Sequence, residues 1–151
     1  MGDRTNIDLY VRDSDKDQVL SLLEGLDFSS CSMDIEDGGN GLIEFNFYEM
    51  NWAEIGIESD LQERSIPYDK YWSAGHEYPA GEEHFRIDAQ GKPELKAFLE
   101  GLRGMVSLSA VKAAFDGGTL ADFLSKAEEE SHYLPLLGQE SLSTNLTLKA
   151  V

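Results

Sequence analysis

A stretch of 47 residues between Lys16 and Arg64 contains 12 carboxylates and no lysine, arginine or histidine. Long acidic segments are usually disordered, because like charges repel and too little apolar surface is available for burial. This stretch differs, since isoleucine, leucine, phenylalanine, tryptophan and tyrosine are interspersed among its acids. We therefore expect it to fold, with its apolar side chains inside and its carboxylates on the surface.

The acidity is concentrated in the first part of the chain. Residues 1–91 hold 21 Asp and Glu against 6 Lys and Arg, a charge of −15, whereas residues 92–151 hold 8 against 6, a charge of −2. A length of 151 residues suits a single domain. We expect that domain, 1–151, to combine an acidic α+β portion over 1–91 with a near-neutral helical portion over 92–151.

Hydropathy patterns predict the first elements of the acidic portion. Residues 6–12 alternate apolar and polar side chains, which is typical of a half-buried strand. Valine and leucines at helical spacing predict a helix over 15–26. Residues 31–37 and 41–49 flank the turn sequence GGNG and predict a hairpin.

The rest of the acidic portion is predicted less regularly. Asn51 is a candidate cap for a second helix over 52–64, and 66–72 is a candidate edge strand interrupted by proline. Extended structure resumes over 83–88. The order strand, helix, hairpin, helix, strand predicts an α+β, ferredoxin-like antiparallel sheet with two helices.

Residues 92–151 are predicted to be mainly helical. Pro93 is a suitable first helical residue, and Leu95, Phe98, Leu99 and Leu102 have helical spacing. Further helices are predicted over 106–115 and after Thr119. The last residues, 141–151, alternate weakly and predict an edge strand or a tail.

Charge and composition exclude several classes of function. A charge of −17 opposes direct binding to nucleic acid and to anionic membrane surfaces. One cysteine, Cys31, excludes an internal disulfide, and we expect it in the core. The sequence contains no apolar run long enough to span a bilayer and begins without the apolar region of a secretion signal. We therefore expect a cytoplasmic protein.

No sequence motif indicates a particular reaction. Neither GxSxG nor GxxxxGK[ST] is present, and Cys31 has no basic residue near it in the sequence. His76 and His84 lie among glutamates, but Pro79 and Gly81 prevent the helix that would align metal ligands at i and i+4. We predict a protein that is not an enzyme and has no cofactor or metal. A metal-dependent enzyme using His76 and His84 is the less favoured alternative.

A fixed array of carboxylates can occupy a groove built to hold nucleic acid. Side chains on one strand face repeat every ~6.6 Å and a duplex presents one phosphate per ~1.7 Å of axis, so strands and helices can approximate a phosphate array. The competing explanation is that the charge serves solubility alone. The candidate contact residues are Asp34, Glu36, Asp37, Glu44, Glu49, Glu54, Glu58, Asp60 and Glu63.

A further pattern lies in Ile66, Pro67, Tyr68, Asp69, Trp72, Gly75, Glu77, Tyr78, Gly81 and Glu83. It resembles a pattern in small acidic proteins encoded by phages and plasmids. In size and charge the whole chain is similar to the DNA-mimic class of counter-defence proteins, which includes anti-restriction and anti-CRISPR inhibitors. The resemblance implies a stoichiometric inhibitor in the host cytoplasm that blocks the basic nucleic-acid-binding surface of a defence complex, and it assigns no functional residues.

Aromatic side chains are dense over 66–88, which we interpret as an ordered loop that returns the chain to the sheet. Tyr68, Trp72 and Tyr78 are candidate partner-binding residues that add specificity to an electrostatic contact. An alternative is a protein-interaction module, such as an immunity or adaptor protein, that makes its contacts through these residues and Tyr71. Its affinity would depend only weakly on salt.

Overall fold

The computed structural model describes residues 3–27 and 31–138. They form an α+β structure. Its strands are β1 (Arg4–Arg12), β2 (Ser32–Gly39), β3 (Leu42–Asn51), β4 (Tyr68–Trp72), β5 (Gly81–Ile87) and β6 (Pro93–Leu99). Its helices are α1 (Lys16–Leu23), α2 (Glu58–Glu63), α3 (Leu108–Asp116) and α4 (Leu120–Ser131), and a 3-10 turn over Asp13–Asp15 precedes α1.

All six strands belong to one antiparallel sheet with the spatial order β2-β3-β1-β4-β5-β6. β1 is an interior strand, because it pairs with β3 on one side and with β4 on the other. β2 and β6 are the two outermost strands. The predicted first strand, first helix and hairpin are confirmed, although α1 is shorter than predicted because residues 13–15 form the 3-10 turn.

One face of the sheet packs against α1 and α2, and we call it the covered face. Apolar residues alternate along the strands, so every second side chain points to this face. The helices contribute their own apolar positions to the same cluster. The cluster includes Ile7, Leu9, Val11, Phe45, Phe47, Tyr68 and Phe85 from the sheet, and Val19, Leu23 and Leu61 from the helices.

The helix predicted over 52–64 is wrong in its first half. Only Glu58–Glu63 is helical. Trp52, Ala53 and Gly56 have φ values of 58°, 56° and 97°, in the left-handed region that a right-handed helix does not contain. The apolar spacing came instead from an irregular segment in which Ala53, Ile55 and Ile57 are buried, whereas Trp52 is exposed.

The strand predicted over 66–72 is confirmed as β4, and the extended structure predicted over 83–88 belongs to β5. The edge position predicted for the first of these strands is wrong, as is the interpretation of 66–88 as a loop. β4 and β5 form an antiparallel hairpin, and β4 is interior because it pairs with both β1 and β5. Pro67 precedes β4, so its missing N–H costs the sheet no hydrogen bond. Only residues 73–80 lie between the two strands.

The predicted helix beginning at Pro93 is wrong, and 92–151 is therefore not helical throughout. Pro93–Leu99 is β6, an outermost strand paired with β5. Proline is accepted as the first residue of such a strand. The two later helices are confirmed as α3 and α4. The strand or tail predicted over 141–151 lies outside the described residues.

Candidate functional site

The face of the sheet opposite α1 and α2, which we call the open face, contains two rows of side chains. Strand register places each row across all six strands. From β2 to β6, the first row is Asp34, Asn46, Asp8, Tyr71, Glu82 and Phe98. The second row is Glu36, Glu44, Tyr10, Asp69, His84 and Lys96.

Four carboxylates on β1, β2 and β3 form what we call the acidic face: Asp8, Asp34, Glu36 and Glu44. The two rows contain no lysine or arginine on these three strands. Asp34 and Glu36 are exposed, while Asp8 and Glu44 are half-buried. Glu36 lies directly opposite Glu44 in the register of β2 and β3, an arrangement of like charges that destabilises a sheet.

Two neutral side chains hold the half-buried members in place. The Tyr10 hydroxyl donates to Glu44 Oε1 at 2.8 Å. With its amide nitrogen turned towards the acids, Asn46 donates to Asp8 Oδ1 and to Glu44 Oε1, both at 2.9 Å. These hydrogen bonds orient the carboxylates without neutralising them, so the negative charge of the face is retained.

Burial, together with the charge of nearby acids, raises the pKa of three side chains on or beside the acidic face. Burial, with the charge of Glu44, raises the pKa of Asp8 above its usual value. Burial and Asp34 likewise raise the pKa of Tyr48, and burial and Glu44 that of Tyr10. A carboxylate or phenol beside fixed anions resists ionisation. The acids of the face therefore add to the effect of burial on these groups.

On β4, β5 and β6, another segment of the chain lies over part of the open face. Several charged side chains there pair with one another. Arg86 Nη2 lies 2.6 Å from Asp69 Oδ1, and His84 Nδ1 lies 2.7 Å from the same oxygen. The segment 132–138 crosses this region, because Arg86 Nε donates to the Pro135 carbonyl at 2.8 Å and the Tyr133 ring packs on His84. The acidic face is thus limited to β1, β2 and β3.

The structure separates the predicted acidic contact residues. Asp34, Glu36 and Glu44 lie together on the acidic face, whereas Asp60 and Glu63 lie exposed on α2, the helix that packs on the covered face. A sheet stands between the two groups. One flat partner surface therefore cannot contact both of them.

Four other predicted contact residues have local roles or positions. Glu49 pairs with Arg4 at 2.7 Å. Asp37 accepts a hydrogen bond from the Gly39 N–H at 2.8 Å, which stabilises the hairpin turn. Glu54 is exposed in the irregular segment before α2. Glu58 is only 16% exposed in its side chain and lies 3.0 Å from Lys70 Nζ, so it is a correction to the predicted contact set.

Of the predicted aromatic contacts, Tyr68 also needs correction, since it is fully buried. Trp72 is half-buried, and its Nε1 donates to the Pro79 carbonyl at 3.2 Å. Its indole packs directly on Gly81, where an added Cβ would collide with the ring. Tyr78 is half-buried beside Trp52, with ring centroids 6.2 Å apart. These side chains fix the hairpin and leave little free surface for a partner.

Asp8, Tyr10 and Tyr48 were missed in the prediction of contact residues. The sequence held a signal for the first two, because the alternation in 6–12 places them opposite the apolar positions of the same strand. The same alternation in β3 places Tyr48 on the face opposite the buried Phe47. Tyr71 was predicted as a contact only for the alternative interaction module, and the structure places it in the first row of the open face.

The two histidines considered as metal ligands occupy different environments. His76 is exposed, and its backbone N–H donates to Asp3 Oδ1 at 2.8 Å. His84 is buried on β5. Among residues 3–27 and 31–138, no group of three or more His, Cys, Asp or Glu side chains is placed to hold a metal ion.

Comparisons with protein-family models, with curated proteins and with solved structures found no match to this chain. In the part of the chain that the structure describes, no helix has both the length and the apolar character needed to cross a membrane.

Proposed function

We propose that this protein is an acidic inhibitor of the phage or plasmid type that binds a basic nucleic-acid-binding surface of a host defence complex as a mimic of DNA. The acidic face is the observation on which this proposal rests. Its four carboxylates are held on a rigid sheet, two of them are exposed, and the two rows of this face supply no cation on β1, β2 or β3.

The energetics of the face support a role in binding. Directly opposed glutamates, such as Glu36 and Glu44, cost a sheet a few tenths of a kcal/mol or more. Burial and a neighbouring acid raise the pKa of Asp8, so ionisation of this carboxyl costs more free energy in the fold than in the unfolded chain. A basic partner would relieve both costs, and the relief would contribute to binding free energy.

The dimensions of the face suit a surface that contacts phosphates. Neighbouring strands are ~4.8 Å apart and the two rows are separated by ~6.6 Å along each strand. The carboxylates therefore occupy a patch of about 10 by 7 Å across three strands, which can match a few phosphates of one groove wall. The role is inhibition by occupancy, which requires no catalytic residue.

We assign the ferredoxin-like arrangement to the first part of the chain as the scaffold for this face. The chain order β1-α1-β2-β3-α2-β4 and the strand order β2-β3-β1-β4 support that assignment. In such a scaffold both helices pack on one face, and the other face is free for a partner.

Capture from a bacterial lysate tests the proposal. The immobilised wild-type protein is expected to retain a basic nucleic-acid-binding protein. A face variant with Asp34→Asn, Glu36→Gln and Glu44→Gln should lose this retention, since it removes three of the four charges of the acidic face.

A matched control removes the same number of charges elsewhere. Glu54→Gln, Asp60→Asn and Glu63→Gln alter only exposed carboxylates on or just before α2. This variant should retain the partner at the wild-type level. Equal retention by the face variant, or loss by the control variant alone, would contradict the assignment to the acidic face.

A second candidate function, a protein-interaction module of the immunity or adaptor kind, is favoured by apolar side chains on and around α3. Leu108 is 83% exposed, Phe115 69% and Met105 66%. Exposed apolar residues that lie together often form contacts with partners. Affinity of this origin would depend weakly on salt, whereas affinity through the acidic face would fall steeply as salt is added.

A further inference from the structure

A cavity of about 290 Å³ lies at the β4-β5-β6 end of the open face, away from the acidic face. Aromatic rings form much of its wall, with carboxylates between them. Its lining includes Tyr71, Glu82, Phe98, Glu100, Arg103 and Tyr133. A cavity of this size accommodates a side chain or a small ligand.

His84 lies directly behind this wall and leaves one polar atom without a partner. It is 6% exposed, and its ring is in edge contact with the rings of Tyr71 and Tyr133, both of which line the cavity. Among the described residues, its Nε2 has no hydrogen-bond partner and lies 3.5 Å from Glu82 Oε2. Buried polar atoms are rarely left in this state unless they serve a ligand or water.

The other side of the imidazole determines what Nε2 can do. Asp69 Oδ1 accepts a hydrogen bond from Arg86 Nη2 at 2.6 Å and lies 2.7 Å from His84 Nδ1. An oxygen that accepts from arginine also accepts from the imidazole, so the proton of a neutral ring lies on Nδ1. Nε2 is then a hydrogen-bond acceptor on the Glu82 side of the ring.

We propose that this cavity, the Glu82 pocket, binds a guanidinium group. The Glu82 and Glu100 carboxylates line the cavity and accept hydrogen bonds, which suits a cation with several N–H donors. Tyr71 supplies a ring surface on which a planar cation stacks, beside the Phe98 and Tyr133 rings that already stack on the Arg103 guanidinium. The pocket goes beyond the proposed function, because it lies on different strands and its test does not require the inhibited partner.

The positive charge of Arg103 in the cavity lining does not make the cavity a binding site for an anion. Arg103 is already engaged, since its Nε donates to the Ser131 carbonyl at 2.7 Å and its guanidinium stacks 3.0 Å from the Tyr133 ring centre. Glu82 and Glu100 outnumber it in the wall. Arg103 also shows that guanidinium stacking suits these rings, because it lies 5.3 Å from the centre of the Phe98 ring as well.

Nuclear magnetic resonance titration of the full chain tests the proposal. The probe is Nα-acetyl-arginine N-methylamide, with the lysine and citrulline counterparts as controls for charge and for shape. The arginine probe should shift the signals of Tyr71, Gly81 and Glu82 to saturation, and the other two should bind more weakly. Absence of saturable shifts, or equal binding of arginine and citrulline, would overturn the proposal.

Variants locate the binding. Glu82→Gln should weaken the arginine probe about tenfold, because a hydrogen bond to a charged group is lost. Tyr71→Ala should weaken it through lost stacking, while the matched control Glu63→Gln, exposed on α2 on the other side of the sheet, should leave affinity unchanged. Equal affinity in Glu82→Gln and wild type would contradict the site even if shifts are seen.

A guanidinium can come from a free small molecule or from an arginine of a protein partner. Comparison of methylguanidinium with a capped Gly-Arg-Gly peptide distinguishes these sources. Binding of both indicates a pocket open to a partner's side chain. Binding of methylguanidinium alone indicates a small-molecule site, and binding of neither overturns the proposal.

Discussion

Lys70 is a buried cation that holds two acidic side chains below the covered face of the sheet. Its side chain is 7% exposed, and its Nζ lies 3.0 Å from Glu58 and 3.6 Å from Glu83. The Tyr68 hydroxyl donates to Glu83 at 2.6 Å and accepts from Gln62 at 2.9 Å. The charges in this network depend on one another, since removal of Lys70 leaves the Glu58 and Glu83 carboxylates without their cation.

Replacement of Lys70 by methionine should lower the free energy of unfolding by about 3–5 kcal/mol, because two poorly solvated carboxylates lose their cation. Urea denaturation measures this change. Lys126→Met is the matched control, since Lys126 is 77% exposed and its pair with Glu130 spans 3.8 Å. The control should change stability by no more than about 0.5 kcal/mol. A similar small change for Lys70→Met would contradict the role of the network.

Glu58 makes the stability of the fold depend on pH. Burial disfavours its carboxylate, but Lys70 and the Ile55 N–H outweigh burial, so its pKa lies below the usual value. A lowered pKa means that the ionised group stabilises the fold near neutral pH and that this stabilisation is lost on acidification. The difference in unfolding free energy between wild type and Glu58→Gln should therefore shrink from about pH 6 towards about pH 3. A difference that stays constant over this range would contradict the shift.

At the scale of elements, the hairpin of β2 and β3 contains a repulsive pair. Glu36 faces Glu44 across the two strands. Glu36→Gln should raise the unfolding free energy by about 0.2–1 kcal/mol at low salt, and the gain should diminish at high salt. Thermal and urea unfolding in both conditions measure it. Glu77→Gln, on the exposed loop between β4 and β5, is the control and should change little; equal gains in both variants would contradict a specific repulsion.

The elements also show where sequence patterns suffice and where they fail. β1, α1 and the hairpin were predictable, because each has a clear period and a recognisable turn. Residues 93–99 satisfied two periods at once: Leu95, Phe98 and Leu99 have helical spacing, while Leu95, Ala97 and Leu99 alternate. Pairing with β5 decided the outcome, and a single sequence does not contain that tertiary contact.

The candidate site was predictable only in part for a similar reason. The excess of acid was visible in composition, and alternation could place individual carboxylates on strand faces. Which strands are neighbours was not visible, so residues on the acidic face could not be separated from those on α2. Burial of Glu58 and Tyr68 likewise depends on Lys70 and Glu83, which approach them only in the folded chain.

At the scale of the whole molecule, the open face has two parts, one acidic and the other lying partly under segment 132–138. β1, β2 and β3 present the acidic face, and segment 132–138 with its rings covers part of β5 and β6. The net charge of −17 extends this local pattern to long range, where it would steer the proposed basic partner towards the protein. The two rows on β1, β2 and β3, which contain no lysine or arginine, are the part of the sheet on which the proposed mimicry depends.

Direct competition between this protein and duplex DNA for the captured partner tests mimicry most directly. We expect increasing concentrations of DNA to displace the wild-type protein completely, because the two should never bind the partner together. Added salt should weaken both complexes in parallel. A ternary complex of partner, DNA and this protein, with an affinity insensitive to salt, would contradict the proposal that the acidic face occupies a nucleic-acid-binding surface.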